Sequence, residues 1–171
     1  PETVALAASH AREYRDHLLG SRLRRAHVLA LVGAGQFDAA LQETSHYEAA
    51  GLSFDRGGTL GPLWQGIADA PDDGGFLRRA LAAVPVSGDI PTDARVAVSS
   101  RLLRLGLPAE AQAWLPEPSA PGADRTVRLL RAEVALDLGR TGEAEVLLLG
   151  LAGPEADRLR ARAREAAGDH A

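Results

Sequence analysis

Four stretches of this chain carry residue types that chemistry uses, and their spacing decides what each can do. His10, Glu13 and His17 fall at i, i+3 and i+7 of a helical pattern, and two imidazoles with a carboxylate can bind zinc. Two helical turns put about 10 Å of rise between the imidazoles, too far for one ion, so the trio reads as a solvated polar face. His27, Ser45, His46 and Asp55 contain the letters of a hydrolase triad, but none sits on a Gly-x-Ser-x-Gly elbow or a comparable strained turn. Leu29-Ala30-Leu31-Val32-Gly33-Ala34-Gly35 has the outline of a strand entering a dinucleotide loop. Its third glycine is absent, with Asp38 and Ala39 standing where it would fall, and the residues ahead of it alternate in a helical rather than a β pattern. Asp72-Asp73 lies in a turn cluster, where aspartate serves backbone hydrogen bonds. The sequence thus assigns no catalytic residue, no cofactor and no metal, and the expectation is a protein without enzymatic activity.

Composition narrows the classes further. The 171 residues suffice for one domain with a sizeable core or for a short solenoid. Hydrophobic residues make up 46% and aromatics only 4%, with Ala and Leu dominant, both strong helix formers. β-branched residues never alternate in runs, which argues against a sheet. Lys, Asn, Met and Cys are absent. The excess of Arg and Ala reads as GC-rich, bacterial-looking coding, and the zero cysteine count excludes disulfides and fits cytoplasm or periplasm equally. A net charge of −4 argues against a general nucleic-acid binder, and no apolar run is long enough to cross a bilayer. The chain opens at Pro1 without Met, so a larger parent protein is expected and the missing leader leaves the compartment undetermined.

The elements that position these residues read as helices throughout. Residues 2–19 form an amphipathic helix (Val4, Leu6, Ala7, Ala11, Tyr14, Leu18, Leu19) that Gly20 ends, and Ser21 caps the next. Residues 22–34 follow, with Leu23, Ala26, Leu29, Ala30 and Val32 as the apolar set, and residues 37–50 return, with Phe37, Ala40, Leu41 and Tyr47 inward and Gly51 as the stop. Residues 52–59 read as a loop, 60–70 as a short helix starting at Pro62, 71–75 as a turn cluster and 76–84 as another short helix. A clear helix runs over 92–105, capped by Thr92 or Asp93. Pro108 opens the return over 109–115, and 116–122 is a linker. Asp124 caps a helix to Leu138, residues 143–151 return, and Gly153-Pro154 opens a last helix to Ala167. Trp64 and Trp114 read as core anchors.

Five glycines stand at the corners of these hairpins: Gly35, Gly75, Gly106, Gly139 and Gly168, spaced by 40, 31, 33 and 29 residues. Ala lies five residues after the first four, at Ala40, Ala80, Ala111 and Ala144, and seven before Gly75, Gly139 and Gly168, at Ala68, Ala132 and Ala161. Two antiparallel helices cross closely only where side chains are small, and a corner glycine supplies a left-handed C-cap.

Gly35-Gln36-Phe37-Asp38-Ala39-Ala40-Leu41 and Leu138-Gly139-Arg140-Thr141-Gly142-Glu143-Ala144 resemble the tetratricopeptide repeat family over roughly residues 21–171, in degenerate form. Arg24 and Arg128 stand where the family carries a large aromatic. The resemblance implies an all-α, right-handed α-solenoid of stacked antiparallel helical hairpins forming a single domain over 1–171. It comprises an N-terminal helix (1–20), hairpins over 21–51, 60–84, 92–115 and 123–151, and the start of a truncated repeat over 153–171. It further implies a concave groove built from Arg22, Arg25 and Leu29, then Val96, Ser100, Leu103 and Arg104, then Thr126, Leu129, Glu133 and Asp137. Such a lining suits a peptide with apolar and acidic side chains. The expected function is a protein–protein interaction scaffold for a protein or peptide partner, with self-association open to the uncovered last helix. The alternatives are a helical sensor domain binding a small ligand, which predicts an enclosed apolar pocket, and an enzyme without a recognisable motif.

Overall fold

A computed structural model of the chain describes residues 2–13, 19–83, 89–116 and 125–168. Among the described residues the backbone is all α, ten helices and no strand. The chain falls into two compact units, Pro1–Ala94 and Arg95–Ala171.

In the first unit α1 (Glu2–Glu13) packs on α2 (Gly20–Gly33), which turns back into α3 (Phe37–Ala49), and α4 (Arg56–Asp69) lies against both α2 and α3. Val28 of α2, Ala40 of α3 and Leu63 and Ile67 of α4 are fully buried. Gly66 permits the approach of α4, since a Cβ there would stand 3.0 Å from the Phe37 ring and 3.2 Å from Val32. α5 (Asp73–Ala82) is tied back to α3 by Arg79, whose Nε and Nη2 donate to the two Asp38 carboxylate oxygens at 2.6 and 2.8 Å. Trp64 is core in this unit, as its aromatic bulk leads one to expect.

The unit boundary falls within α6 (Thr92–Arg104). In the second unit α7 (Pro108–Trp114) packs on α8 (Arg125–Asp137), α9 (Thr141–Leu148) packs on α8, and α10 (Pro154–Ala167) lies against both α8 and α9. Ala132, Ala135, Ala144, Leu148, Ala156 and Leu159 form its core cluster, three helices meeting over alanine with leucine filling the gaps. Trp114 is also core.

Three hairpins share one corner. In α2–α3 the Gly35 N–H donates to Val32 O and the Gln36 N–H to Leu31 O, both at 2.9 Å. The same pair of bonds recurs at Gly106 and Leu107, and at Gly139 and Arg140. This is the Schellman arrangement, and it requires the left-handed φ of +70°, +77° and +73° at the three glycines. Beyond each corner, Ala40, Ala111 and Ala144 have no exposed surface, and each hairpin buries Val28, Ser99 or Ala132 to the same degree on the preceding helix. The Ser99 hydroxyl donates to Ala111 O at 2.9 Å, so in α6–α7 the two small positions touch.

The chain at or just beyond the end of α3, α7 and α9 is held by arginine. Arg24 Nε and Nη2 donate to Ser53 O at 2.9 and 2.6 Å. Arg95 Nε donates to Trp114 O at 2.8 Å, and Arg128 Nη2 donates to Leu147 O and Leu149 O at 2.8 and 2.6 Å.

Several expectations need correction. Gly75 is no corner: it lies inside α5 without positive φ, and a Cβ there would collide with the Asp72 carboxylate and Arg79. Pro71 makes that corner instead, because it pushes Ala70 into extended backbone (ψ 138°). Gly20 does not end a helix; it is buried as the first residue of α2, and Ser21 lies inside that helix. α4 starts six residues before Pro62, because the Asp55 carboxylate caps it by accepting from the Gly58 N–H at 3.0 Å. α9 runs from Thr141 rather than Glu143 and stops at Leu148. The inward face of α2 carries Arg24, His27, Val28 and Leu31, while Ala26 is exposed, because hydrogen-bonded polar side chains take core positions there. Leu6 and Leu19 are exposed, not inward. The readings placed on Tyr14, His17, Leu18, residues 84–88, the linker beyond Pro116, and Asp124 lie outside the described residues.

Candidate functional sites

The second unit holds a cleft of about 270 Å³ floored by α8 and flanked by α6 and α10. Five residues expected in a groove meet there: Val96 and Ser100 from α6, and Thr126, Leu129 and Glu133 from α8. They do so because α6 and α8, each the first helix of a hairpin, both face this cleft, and α10 closes its other side. Arg125, Leu130, Glu155, Arg158 and Leu159 complete the wall, which the sequence reading had not included. The floor is leucine and the rim is charged. Glu133 and Asp137 are both drawn to Arg162 of α10, at 3.8 and 2.7 Å, so one guanidinium neutralises much of the acid on this face. Leu103 is half-buried and Arg104 exposed on α6, and neither lines the cleft.

The remaining expected residues belong to the first unit. Arg22 is exposed, Leu29 is half-buried, and Arg25 pairs with Asp55 at 3.3 Å. None lines the larger cavity of that unit, about 580 Å³ between α1, α2 and α3. Its walls are Ala8, Ala11 and Arg12 of α1 and Arg24 and His27 of α2. Glu43, His46 and Tyr47 of α3 close the third side, with Leu52 beyond them. The sensor alternative anticipated an enclosed apolar pocket; this one is open and largely ionisable.

A buried polar network forms one wall. His27 Nδ1 lies 2.9 Å from the Tyr47 hydroxyl, which also bonds the Glu43 carboxylate. Burial pushes the His27 imidazole below its ordinary range, with the Glu43 charge opposing and Arg12 reinforcing that shift. Burial and then Glu43 push the Tyr47 hydroxyl well up, so it stays protonated and donates. The signal for this site was present in the sequence as His27 and Tyr47, but both were read by type, one as a triad letter and one as core.

The other chemistry-bearing residues are engaged elsewhere. Asp55 caps α4, Ser45 and His46 are exposed on α3, and the glycine-rich stretch before Gly35 is the body of α2. His10 lies 3.8 Å from Glu13, and among the described residues no group of three His, Asp or Glu side chains is arranged to hold a metal ion. Among those residues, too, no helix is long and apolar enough to cross a membrane. No family model, curated protein or solved structure matches this chain.

Proposed function

We propose that the chain is a non-catalytic interaction module, a degenerate tetratricopeptide-like right-handed α-solenoid that takes a peptide segment of a partner protein across the first helices of its hairpins. The observation that carries this reading is the cleft on α6, α8 and α10, where residues far apart in sequence converge on one face. Two further features support it. Each unit repeats the same packing unit, in which the two helices of a hairpin and the first helix of the next meet in threes. The cleft, at about 270 Å³, is smaller than the roughly 300–1,000 Å³ of small-molecule sites and suits a side-chain anchor of a longer ligand. Leu129, Leu130 and Leu159 favour an apolar anchor, and Arg125 and Arg158 favour acidic residues beside it.

Selection of displayed peptides on the full chain tests the reading. Enriched sequences should pair an apolar residue with a neighbouring acid. Leu129→Glu and Arg158→Glu should each weaken their binding about tenfold or more. Peptides that bind both variants as well as the parent, or a library that yields no binder, would remove the cleft as the site.

A further inference from the structure

None of the residues lining the cavity of the first unit lines the proposed peptide cleft, and its lining points to another kind of occupant. At about 580 Å³ it lies inside the range of small-molecule sites. Ala8 and Ala11 on α1 and Leu52 beyond α3 are its apolar lining. Among the described residues the rest of the lining is ionisable: with both histidines counted neutral, Arg12 and Arg24 set two positive charges against Glu43.

These charges differ in their freedom. Arg24 is buried, with Nε and Nη2 fixed on Ser53 O. Glu43 faces the Tyr47 hydroxyl and lies 4.0 Å from His27 Nδ1. Arg12 is exposed, with Nε donating to Ala8 O of its own helix at 3.2 Å. Among the described residues nothing engages its two terminal nitrogens. A guanidinium with a free pair of parallel donors matches a carboxylate in bidentate geometry. A single negative charge balances the charges of the described lining, whereas a dianion would also face the Glu43 carboxylate.

We propose that this cavity binds a small organic monocarboxylate, its carboxylate paired with Arg12 and its apolar body laid against Ala8, Ala11 and Leu52. The site stands independently of the peptide cleft, since all its residues lie in the first unit.

Titration of the full chain with benzoate and with hexanoate, followed by calorimetry and amide NMR shifts, tests the assignment. At least one carboxylate should bind saturably, near millimolar, with shifts concentrated in α1, α2 and α3. Benzamide, the neutral isostere of benzoate, should not bind. Arg12→Gln should weaken carboxylate binding about tenfold or more while leaving the unliganded melting temperature and the peptide selection unchanged. Ala11→Leu should fill the cavity and block binding. If that variant does not fold, the half-buried Ala8→Leu makes the same test. Absence of binding by both carboxylates, equal binding of benzamide, or parental affinity in Arg12→Gln would overturn the proposal.

Discussion

Arg24 and Arg128 hold the same station in two different hairpins. Each stands eleven residues ahead of its corner glycine, and each donates through Nε and Nη2 to one carbonyl oxygen, Ser53 O in the loop after α3 and Leu147 O in the last turn of α9. Arg95, eleven ahead of Gly106, does the same with Nε on Trp114 O. The last carbonyls of a helix lack intrahelical donors, and a guanidinium from the facing helix satisfies such carbonyls at Leu147 and Trp114, while Arg24 reaches a loop carbonyl beyond α3. The position where a large aromatic would fill the hairpin by volume is here filled by a charged cap.

Replacing Arg24 with Met should therefore cost stability even though volume and helix propensity are kept. Arg24 is 4% exposed and its hydrogen bonds are charge-assisted, so a loss of about 2 kcal/mol is expected. Lys should not rescue it, because an ammonium cannot place two forked donors on Ser53 O. Arg22→Met, on the exposed face, should stay within about 0.5 kcal/mol. Urea midpoints at constant m-value decide between these outcomes.

The corner at Gly139 and the helix start at Gly142 should respond in opposite directions to alanine. Gly139 sits at φ +73°, which costs a side-chain-bearing residue about 1–2 kcal/mol. Gly142 lies in α9 without positive φ and with open space around a Cβ, so alanine should stabilise by about 0.5–1 kcal/mol. Thermal melts of the two variants should move apart around the parent.

Ala144 is fully buried at the crossing of α8 and α9, where any added side chain must push the helices apart. Ala144→Leu should cost about 1–3 kcal/mol by overpacking. Val146, two positions on, is 65% exposed, and Val146→Leu should be close to neutral. Equal effects at the two positions would contradict the crossing.

His27 should make the protein acid-sensitive. Burial holds its folded pKa below the ordinary 6.5, so as pH falls the unfolded chain takes up the proton first. Above about pH 6.5 both states are neutral at His27 and it contributes no pH dependence; below that, stability declines towards the lower folded value. The groups facing it are Tyr47, Glu43 and Arg12, and the loss should be visible between pH 7 and pH 5.5 in urea midpoints. His27→Gln should flatten that part of the profile. An unchanged slope in the variant would place the acid sensitivity elsewhere.

Much of the fold was legible because it is written in glycine and alanine. Gly35, Gly106 and Gly139 mark corners that need left-handed backbone, and the alanines five residues on mark helix crossings, so sequence spacing maps directly onto geometry. Reading failed where a polar side chain took a core position. Hydrophobic periodicity assigns Arg24, His27 and Arg131 to solvent, yet all three are buried, because carbonyl oxygens and a tyrosine hydroxyl from distant segments satisfy them. Those partners are set by tertiary packing, which no local window contains. The same failure rotated the face of α2 and hid the cavity beside it, whereas five of the positions carried over from the family resemblance, Leu129 and Glu133 among them, fall together around α8. Gly75 failed for a different reason: glycine is also chosen for lack of volume, and spacing alone does not separate that use from a turn.

The hairpin tails are fastened by guanidinium groups in a chain that has no lysine at all. Guanidinium keeps its charge far into alkali, so these fastenings hold at pH values that would strip an ammonium of its proton. They are equally invisible to lysine acylation, whether by an enzyme or by an amine-directed label, which finds no side chain here to modify. An α-dicarbonyl reagent, by contrast, attacks the fastenings themselves. Covalent labelling would thus leave the architecture untouched or release its hairpin ends, depending only on which cation the reagent recognises.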